Sequence, residues 1–553
     1  MGMRHGGKIL ADQLVLNGVR RVFSVPGESY LAALDGLYDA GIQNVVCRQE
    51  GGAAMMAEAH GKLTNSPGIA FVTRGPGATN ASSGVHVARH DSTPMILFVG
   101  QIARSDRDRG AFQEVDFRAM FAPLAKWVAE IDDAARIPEY VSRAFHVAMS
   151  GRPGPVVLSL PEDMLSASAD VPDIPAPAPR PGVVSDAAVK AVEDALAKAK
   201  RPLVIAGGPL WTAKTAADLA RFAEARDLPV AVSFRRQDYM DNLAPNYVGD
   251  LGVGGNPKLS QRMKDADLLL VLGSRLGDIP TGGYTHLNPA RPAPRIVHVH
   301  PGADELGHVF PPDPGIALPA PNLLAALAER NAEPGPWADW TRAARADYEA
   351  WQKPHETPGA VKMEEAVLWL SANLPDNAIV TNGAGNYNAF LHRYYQFRGF
   401  RTQVGSTSGS MGYGFPAAIA ASLEHPERTV VCMAGDGCFQ MTLNEMSTAR
   451  QYGATPIVIV ANNGRYGTIR MHQERAYPGR VSGTDLVNPD FAALARAYGG
   501  HGETVTEDAQ LADAFARAKA SGLPAVIELH LDPEALTPGK TLSEVRAEGK
   551  AKG

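Results

Sequence analysis

The chain has 553 residues, of which 45% are hydrophobic, and its formal net charge is −6. This length exceeds what one hydrophobic core supports, so we expect about three or four domains. The slightly acidic balance gives no basic field for nucleic acid or an anionic membrane surface, and three cysteines are too few for a disulfide framework or a zinc site. The apolar runs have strand length and no signal-peptide pattern opens the chain, so we expect a cytoplasmic enzyme with a small-molecule substrate and no membrane partner.

The first candidate functional residue lies in the run NVVCRQEGGAAMMAEAHG, which predicts a strand, then Glu50, then a helix rich in Ala and Met. An acid at a helix N-terminus is favoured by the helix dipole alone, so the position is ordinary by itself. The nearby acids Glu58, Asp91 and Glu114 are expected to be solvated or to cap backbone groups.

Two proline-rich stretches, from Val171 to Gly182 and from about Glu333 to Pro358, predict extended linkers. The predicted domains are therefore residues 1–172, 184–332 and 359–540, followed by a C-terminal tail, 541–553. In each domain, apolar strand-like runs alternate with helical patterns. This alternation predicts an α/β fold of three doubly wound parallel-sheet domains.

The most informative local feature is the run Gly435-Asp436-Gly437, followed by Asn463 at the spacing of one strand-helix-strand unit. TVVCMAG and TPIVIVANN predict the strands, and LNEMSTARQYG predicts the helix between them. Both polar ends are then expected at the carboxyl edge of a parallel sheet, where ligands bind. The glycines allow backbone to approach phosphate, and Asp436 is placed to hold Mg²⁺. A simple turn is the alternative for GDG taken alone.

Seven motifs follow one another through the chain: FSVPGES, RQEGGAAMMAEAHG, RGPGATN, AFQEVD, GRPGPVVLSLP, SMGYGFPAAIAA and GDG…NN. Together they resemble thiamine diphosphate-dependent enzymes, and within these the acetolactate (acetohydroxyacid) synthase large-subunit group. The resemblance implies a pyrimidine-binding first domain, a middle domain similar to nucleotide-binding domains and a diphosphate-binding last domain. It also implies a homodimer or homotetramer with active sites between subunits.

The activity implied by this resemblance is that of a carboligase. Such an enzyme cleaves or decarboxylates a 2-oxoacid and transfers the resulting enamine to a second carbonyl compound, using thiamine diphosphate and Mg²⁺. The resemblance assigns Glu50 to the aminopyrimidine nitrogen of the cofactor, where the carboxyl group relays a proton. The residues that line the reaction centre are Gly27, Phe112 and Gln113.

The resemblance also implies a binding set for the cofactor and its metal. The Mg²⁺ ligands are Asp436, Asn463 and the carbonyl of Arg465. The resemblance also gives the residues that bind the cofactor itself: Met411, Gly409, Gly383, Asn386, Asn388, Gly435, Gly437 and Gly467. Asn463 belongs to this set as well as to the Mg²⁺ ligands.

The chain departs from the synthase pattern at two positions near the expected reaction centre. His472 stands where the group has a tryptophan that controls which 2-oxoacid enters. The substrate that donates or accepts the transferred unit can therefore differ from pyruvate. An exposed helical histidine is the alternative. Arg74 replaces a small residue before GPGATN, and both recognition of a substrate carboxylate and an internal ion pair remain open.

The middle domain departs from the flavin-binding pattern as well. His300 replaces an acid at a strand end, and Gly254 replaces a histidine, whereas Arg275 and Asp278 match. Gly207-Gly208 lies where a nucleotide approaches. FAD, another adenine nucleotide and an empty site all remain open.

Two alternatives to a carboligase are considered. The first is a thiamine diphosphate-dependent 2-oxoacid decarboxylase or C–C lyase or hydrolase. The adjacent histidine pair of simple decarboxylases is missing near GPGATN, because His86 and His90 are four residues apart. The second is a non-catalytic nucleotide-binding protein, against which Glu50, Asp436 and Asn463 argue.

Overall fold

The computed structural model describes residues 2–177, 182–330 and 333–552. Residues 178–181 of the first predicted linker, residues 331–332 of the predicted middle domain and residue 553 of the predicted tail lie outside this range. No helix in the described ranges is both long enough and apolar enough to cross a bilayer.

The N-terminal segment is built on a six-stranded parallel sheet. Its strands are β1 (Arg4–His5), β2 (Arg21–Ser24), β3 (Gln43–Val46), β4 (Gly68–Val72), β5 (Met95–Gln101), β6 (Trp127–Glu130), β7 (Pro155–Pro161) and β8 (Ser168–Ala169). Its helices are α1 (Gly6–Leu16), α2 (Leu31–Asp39), α3 (Glu50–Thr64), α4 (Gly75–Asp91), α5 (Phe117–Phe121), α6 (Ile137–Met149) and α7 (Glu162–Ser166). The strand order is β3-β2-β4-β5-β7-β6, and β1 and β8 form a separate antiparallel pair. Because β4, β5 and β7 are buried along their whole length, their sequences are apolar, except for Gln101 and Ser159, and do not alternate with polar residues.

The middle segment carries a second parallel sheet of six strands. Its strands are β9 (Pro202–Ala206), β10 (Val230–Ser233), β11 (Tyr247–Leu251), β12 (Leu268–Leu272), β13 (Arg295–Val299) and β14 (Gly315–Ile316). Its helices are α8 (Asp186–Leu196), α9 (Ala213–Glu224), α10 (Pro257–Asp265), α11 (Ala320–Ala328) and α12 (Ala338–Trp351). The order β11-β10-β9-β12-β13-β14 reverses direction between β9 and β12, where nucleotides bind in doubly wound sheets.

Helix α12 corrects the prediction of an extended linker between Glu333 and Pro358. The helix buries Thr341, Ala344 and Tyr348, which lie on one face at helical spacing. Prolines flank the helix on both sides. The linker was predicted from these prolines, although the Ala-rich sequence between them favours a helix.

The C-terminal segment carries the third parallel sheet. Its strands are β15 (Ile379–Asn382), β16 (Gln403–Gly405), β17 (Val430–Gly435), β18 (Ile457–Asn462), β19 (His501–Val505) and β20 (Ala525–His530). Its helices are α13 (Met363–Asn373), α14 (Tyr387–Tyr394), α15 (Gly414–Glu424), α16 (Asp436–Gln440), α17 (Met446–Tyr452), α18 (Gly467–Ala476), α19 (Phe491–Ala497), α20 (Leu511–Ala520) and α21 (Leu542–Lys552). The order is β16-β15-β17-β18-β20-β19, so the strand-helix-strand unit predicted around GDG is confirmed. With three such sheets, the predicted fold class is confirmed.

The chain divides into two compact units. Unit 1 contains residues 1–180, 406–426 and 442–455, and unit 2 contains residues 181–405, 427–441 and 456–553. Helices α15 and α17 therefore belong to the same unit as the N-terminal sheet, and α3 packs against α15 inside it. The predicted domain boundaries stay predictions.

A buried ionic network lies inside unit 1. Glu58 and Asp91 are both buried, and Lys62 forms ion pairs with both. The hydroxyls of Tyr413 and Thr93 donate to Glu58 at 2.5 Å and 2.6 Å. Burial raises the pKa of Glu58. The prediction that Glu58 and Asp91 are solvated or capping acids is therefore wrong, because both face residues distant in sequence.

Candidate active site

Glu50 is the first residue of α3, four residues after β3 ends. Gln49 caps the helix, since its side chain accepts the Gly52 N–H at 3.1 Å. The amide of Asn80, in α4, donates to Oε2 of Glu50 at 2.9 Å. The predicted strand-acid-helix arrangement is confirmed, and Asn80 is a contact that the sequence did not indicate.

The backbone before Glu50 is held by a second carboxylate. Glu445 is buried and its Oε1 accepts the backbone N–H groups of Arg48 and Gln49 at 3.1 Å and 3.0 Å. The Thr448 hydroxyl donates to Oε2 at 2.6 Å, and burial raises the pKa of Glu445. A β-carbon on Gly52 would lie 2.6 Å from Oε1, so only glycine permits this approach. Glu445 lies between GDG and Asn463, in a stretch where the sequence predicted only a helix.

Gly27 and Gln113 lie beside the first turn of α4. A β-carbon on Gly27 would fall 2.5 Å from Cβ of Thr73, so glycine is required there. Gln113 has a positive φ of 65° and its carbonyl accepts the Gly75 N–H at 3.0 Å. Within the described residues, its buried Oε1 has no hydrogen-bond partner, which leaves an acceptor for a bound group.

The neighbours of Gln113 have different surroundings. Phe112 is 74% exposed. Glu114 accepts the backbone N–H groups of Asp108 and Ala111 at 2.7 Å and 2.9 Å, which confirms its predicted capping role.

Arg74 forms the internal ion pair that the sequence left open. Its guanidinium reaches Glu28 at 3.1 Å and Glu162 at 2.5 Å, and the side chain is buried. Two carboxylates thus already neutralise the charge that a substrate carboxylate would need.

Asp436 begins α16 at the carboxyl end of β17. Its carboxylate is 4% exposed, accepts the Gly437 N–H at 2.8 Å and accepts the Asn488 amide at 2.8 Å. Burial raises the pKa of Asp436. A β-carbon on Gly437 would lie 2.5 Å from Tyr466, so the chain can pass here only as glycine. Asn488 was not indicated by the sequence.

The turn after β18 approaches the same carboxylate. Hydrogen bonding from the backbone N–H groups of Gly464 and Arg465 favours the charged form of Asp436 and lowers its pKa. This effect opposes that of burial, which is larger and raises the pKa. Asn463 lies in this turn, and a β-carbon on Gly467 would be 3.2 Å from its amide nitrogen. The structure therefore brings the turn of Asn463 and Arg465 to Asp436, and a carboxylate with amide and carbonyl oxygens is a donor set that suits Mg²⁺.

The glycine at the end of β15 anchors a second loop of unit 2. The carbonyl of Gly383 accepts from Arg235 at 2.6 Å and from the Asn388 amide at 3.0 Å. Asn388 is buried, whereas Asn386 accepts the Thr468 hydroxyl at 2.9 Å and so lies against α18. Asn388 thus holds the loop together. The ring of the adjacent Tyr387 lies beside Gly435, at the end of β17.

Met411 and Gly409 lie in unit 1, in the loop before α15. Gly409 has a positive φ of 67° and Met411 is partly buried. His472 lies in unit 2 on α18 and is exposed, as its alternative interpretation proposed.

At the switch point of the middle sheet, two chain turns press together. A β-carbon on Gly208, whose φ is 75°, would lie 1.7 Å from the carbonyl oxygen of Gly273. Arg275 pairs with Glu305 at 3.1 Å, and the buried His300 ring contacts the Gly302 backbone at 3.1 Å. These contacts are internal to the protein, and a bound flavin or adenine nucleotide stays a prediction.

Three family models match the chain in order. They are described as thiamine pyrophosphate enzyme N-terminal TPP binding domain over residues 4–120, central domain over 189–327, and C-terminal TPP binding domain over 383–529.

The chain is also similar over most of its length to several curated proteins. The acetolactate synthase large subunit of Parasynechococcus marenigrum is 32% identical over 95% of this chain and 87% of its own. The isozyme 2 large subunit of Escherichia coli is 30% identical over 96% of each chain. The large subunit of Haemophilus influenzae is 31% identical over 89% of this chain and 88% of its own.

Proposed function

The chain belongs to the acetolactate synthase large-subunit group of thiamine diphosphate-dependent enzymes, and on that premise we propose that it decarboxylates pyruvate and joins the remaining two-carbon unit to a second 2-oxoacid. Enzymes of this class are carboligases that depend on thiamine diphosphate and Mg²⁺. The observation that supports the proposal most strongly is the carboxylate of Glu50 at the edge of the first sheet, where Oε2 accepts the Asn80 amide and, among the described residues, Oε1 accepts no hydrogen bond from another side chain.

When bound, thiamine diphosphate supplies the electron sink that decarboxylation of a 2-oxoacid requires. Asp436, Asn463 and the carbonyl of Arg465 would hold Mg²⁺, which would supply positive charge to the diphosphate. Gly435 and Gly437 let the backbone approach the phosphate oxygens. Gly383, Asn386 and Gly467 complete the binding set of unit 2, in which Asn388 acts by holding the loop of Gly383. In unit 1, Gly409 and Met411 are the residues proposed to bind cofactor.

Glu50 holds a proton against the pyrimidine ring of the cofactor. A carboxyl group is the right side chain because it can both donate a proton and accept one. Gln113 supports this proposal, because its buried Oε1 has no partner among the described residues and can accept a hydrogen bond from a reacting group.

His472 and Phe112 set which substrates are taken. Both side chains are exposed in the chain, and His472 stands where the group has a gating tryptophan. A smaller, polar side chain at that position widens the range of acceptors.

The assembly is a homodimer or homotetramer in which Glu50 of one subunit and Asp436 of another serve one cofactor, and the enzyme is cytoplasmic. Membership of the group supports the proposed assembly, and the three scattered cysteines, which suggest a reducing compartment, support the proposed location. Sedimentation of the purified protein measures the assembly.

Product analysis tests the reaction. Purified protein with thiamine diphosphate and Mg²⁺ is given pyruvate alone and pyruvate with a panel of 2-oxoacids and aldehydes. We expect a branched hydroxyketo acid and CO₂, both dependent on the cofactor. Release of aldehyde alone would show a decarboxylase instead.

A further inference from the structure

The structure assigns Asn80 as the positioning residue that gives the two oxygens of Glu50 different tasks, an inference that rests on the proposed function of Glu50. Asn80 lies on α4 and Glu50 at the start of α3, in elements that pack closely. A β-carbon on Gly84 would lie 2.4 Å from Cβ of Ala54, so glycine permits this approach. The approach brings the amide of Asn80 to 2.9 Å from Oε2 of Glu50.

The other oxygen of Glu50 faces a different surface. A β-carbon on Gly77 would lie 3.4 Å from Oε1, so a glycine leaves that side of the carboxylate open. Within the part of the chain that the structure describes, Oε1 accepts no hydrogen bond from another side chain. Tyr30 is a further ionisable group that senses the charge of Glu50, and burial raises the pKa of its hydroxyl, which keeps it neutral.

The amide of Asn80 determines which oxygen of Glu50 can carry a proton. An amide N–H can only donate, so Oε2 must remain an acceptor while the hydrogen bond exists. The proton that Glu50 carries in its neutral form therefore sits on Oε1. Asn80 thus keeps the carboxyl in one rotamer and directs its proton to the open side, where the cofactor ring is proposed to lie.

Two substitutions separate the donor from the shape of the side chain. Asn80→Ala removes the amide, and Asn80→Asp keeps the shape but replaces the donor with a carboxylate beside Glu50. Ser82→Ala, on the same helix, is the control, because the Ser82 hydroxyl donates to the Thr79 carbonyl and, among the described residues, forms no hydrogen bond to Glu50. Each variant is made alone, and Asn80→Ala is also combined with Glu50→Gln.

Two readouts are taken: the affinity of the apoprotein for thiamine diphosphate with Mg²⁺, and the rate at which the acidic carbon-bound hydrogen of bound cofactor exchanges with deuterium. We expect Asn80→Ala to weaken affinity about tenfold and to slow exchange by about 10²-fold, because a misplaced acid loses its alignment. For Asn80→Asp, we expect the basic limb of the pH–rate profile to move upward by about one pH unit, since two carboxylates then share the site and the proton on Glu50 is held more tightly.

The double variant decides whether Asn80 acts through Glu50. In the Glu50→Gln background, we expect Asn80→Ala to change affinity and exchange by less than about twofold. Equal losses in both backgrounds, or an Asn80→Ala protein that exchanges like the Ser82→Ala control, would overturn the inference. Full exchange by Glu50→Gln alone would instead refute the proposed function of Glu50.

Discussion

Oε1 of Glu445 accepts the backbone N–H of Gln49 at 3.0 Å, one residue before Glu50. In Glu445→Gln the single remaining oxygen cannot accept from both the backbone N–H groups and the Thr448 hydroxyl, so one of these donors faces an amide N–H. We expect a loss of about 1 to 3 kcal/mol in the free energy of unfolding and a lower turnover number, because the start of α3 is no longer fixed. Thermal denaturation and steady-state kinetics measure both effects. Glu365→Gln is the matched control, since Glu365 is exposed on α13. A Glu445→Gln protein that resembles this control would show that the contact is dispensable.

Glu50→Gln tests the proposed proton relay. Glutamine keeps the shape of the side chain and its hydrogen bonds but cannot exchange a proton. We expect turnover to fall by about 10²- to 10⁴-fold while the protein still binds thiamine diphosphate, as measured by calorimetric titration. Unchanged turnover would remove Glu50 from the catalytic machinery.

Asp436→Asn tests the metal site. Asparagine is nearly isosteric but removes the charge that Mg²⁺ needs, so we expect cofactor affinity to fall and to become insensitive to added Mg²⁺. A chelator should release cofactor from the unchanged protein. Asp513→Asn, on the exposed face of α20, is the control for the same loss of charge. Tight, chelator-resistant binding by Asp436→Asn would place the metal elsewhere.

The buried network of unit 1 predicts two graded effects on stability. Tyr413→Phe removes one hydrogen bond to Glu58, and we expect a cost of about 1 kcal/mol. Glu58→Gln leaves Lys62 without one of its two carboxylates, and we expect about 2 to 4 kcal/mol. Denaturant titration of both variants measures their free energies of unfolding and shows which substitution costs more. Equal effects would indicate that the carboxylate charge contributes nothing.

Glu474 predicts how stability changes at low pH. Hydrogen bonds from Arg546 and Arg470 lower the pKa of this carboxyl to about 2 from an ordinary value of 4.5. Because the folded pKa is depressed, the stabilisation is complete above about pH 4.5 and is lost as the pH falls toward 2. We expect Glu474→Gln to lower the melting temperature at pH 6 and to narrow the gap to the unchanged protein by pH 3. A constant gap across this range would contradict the assignment.

Local features of the site were predictable, and contacts between distant segments were not. Glu50 and Asp436 were placed correctly because strand ends and helix starts follow from hydrophobic periodicity over a few residues. Asn80, Glu445 and Asn488 were missed because each contact arises when the chain returns to a place that periodicity does not encode. The burial of Glu58 was hidden for the same reason, since its partner Tyr413 comes from a remote segment.

The pairing of Glu58 with Tyr413 also has a consequence for synthesis. The ribosome releases Glu58 long before Tyr413, and unit 1 is complete only when residues 442–455 have emerged. During that interval, the nascent N-terminal segment carries acids whose final partners do not yet exist. A fragment that stops at residue 180 should therefore be a poor substitute for unit 1, and late folding of the newly made chain is built into the order of its segments.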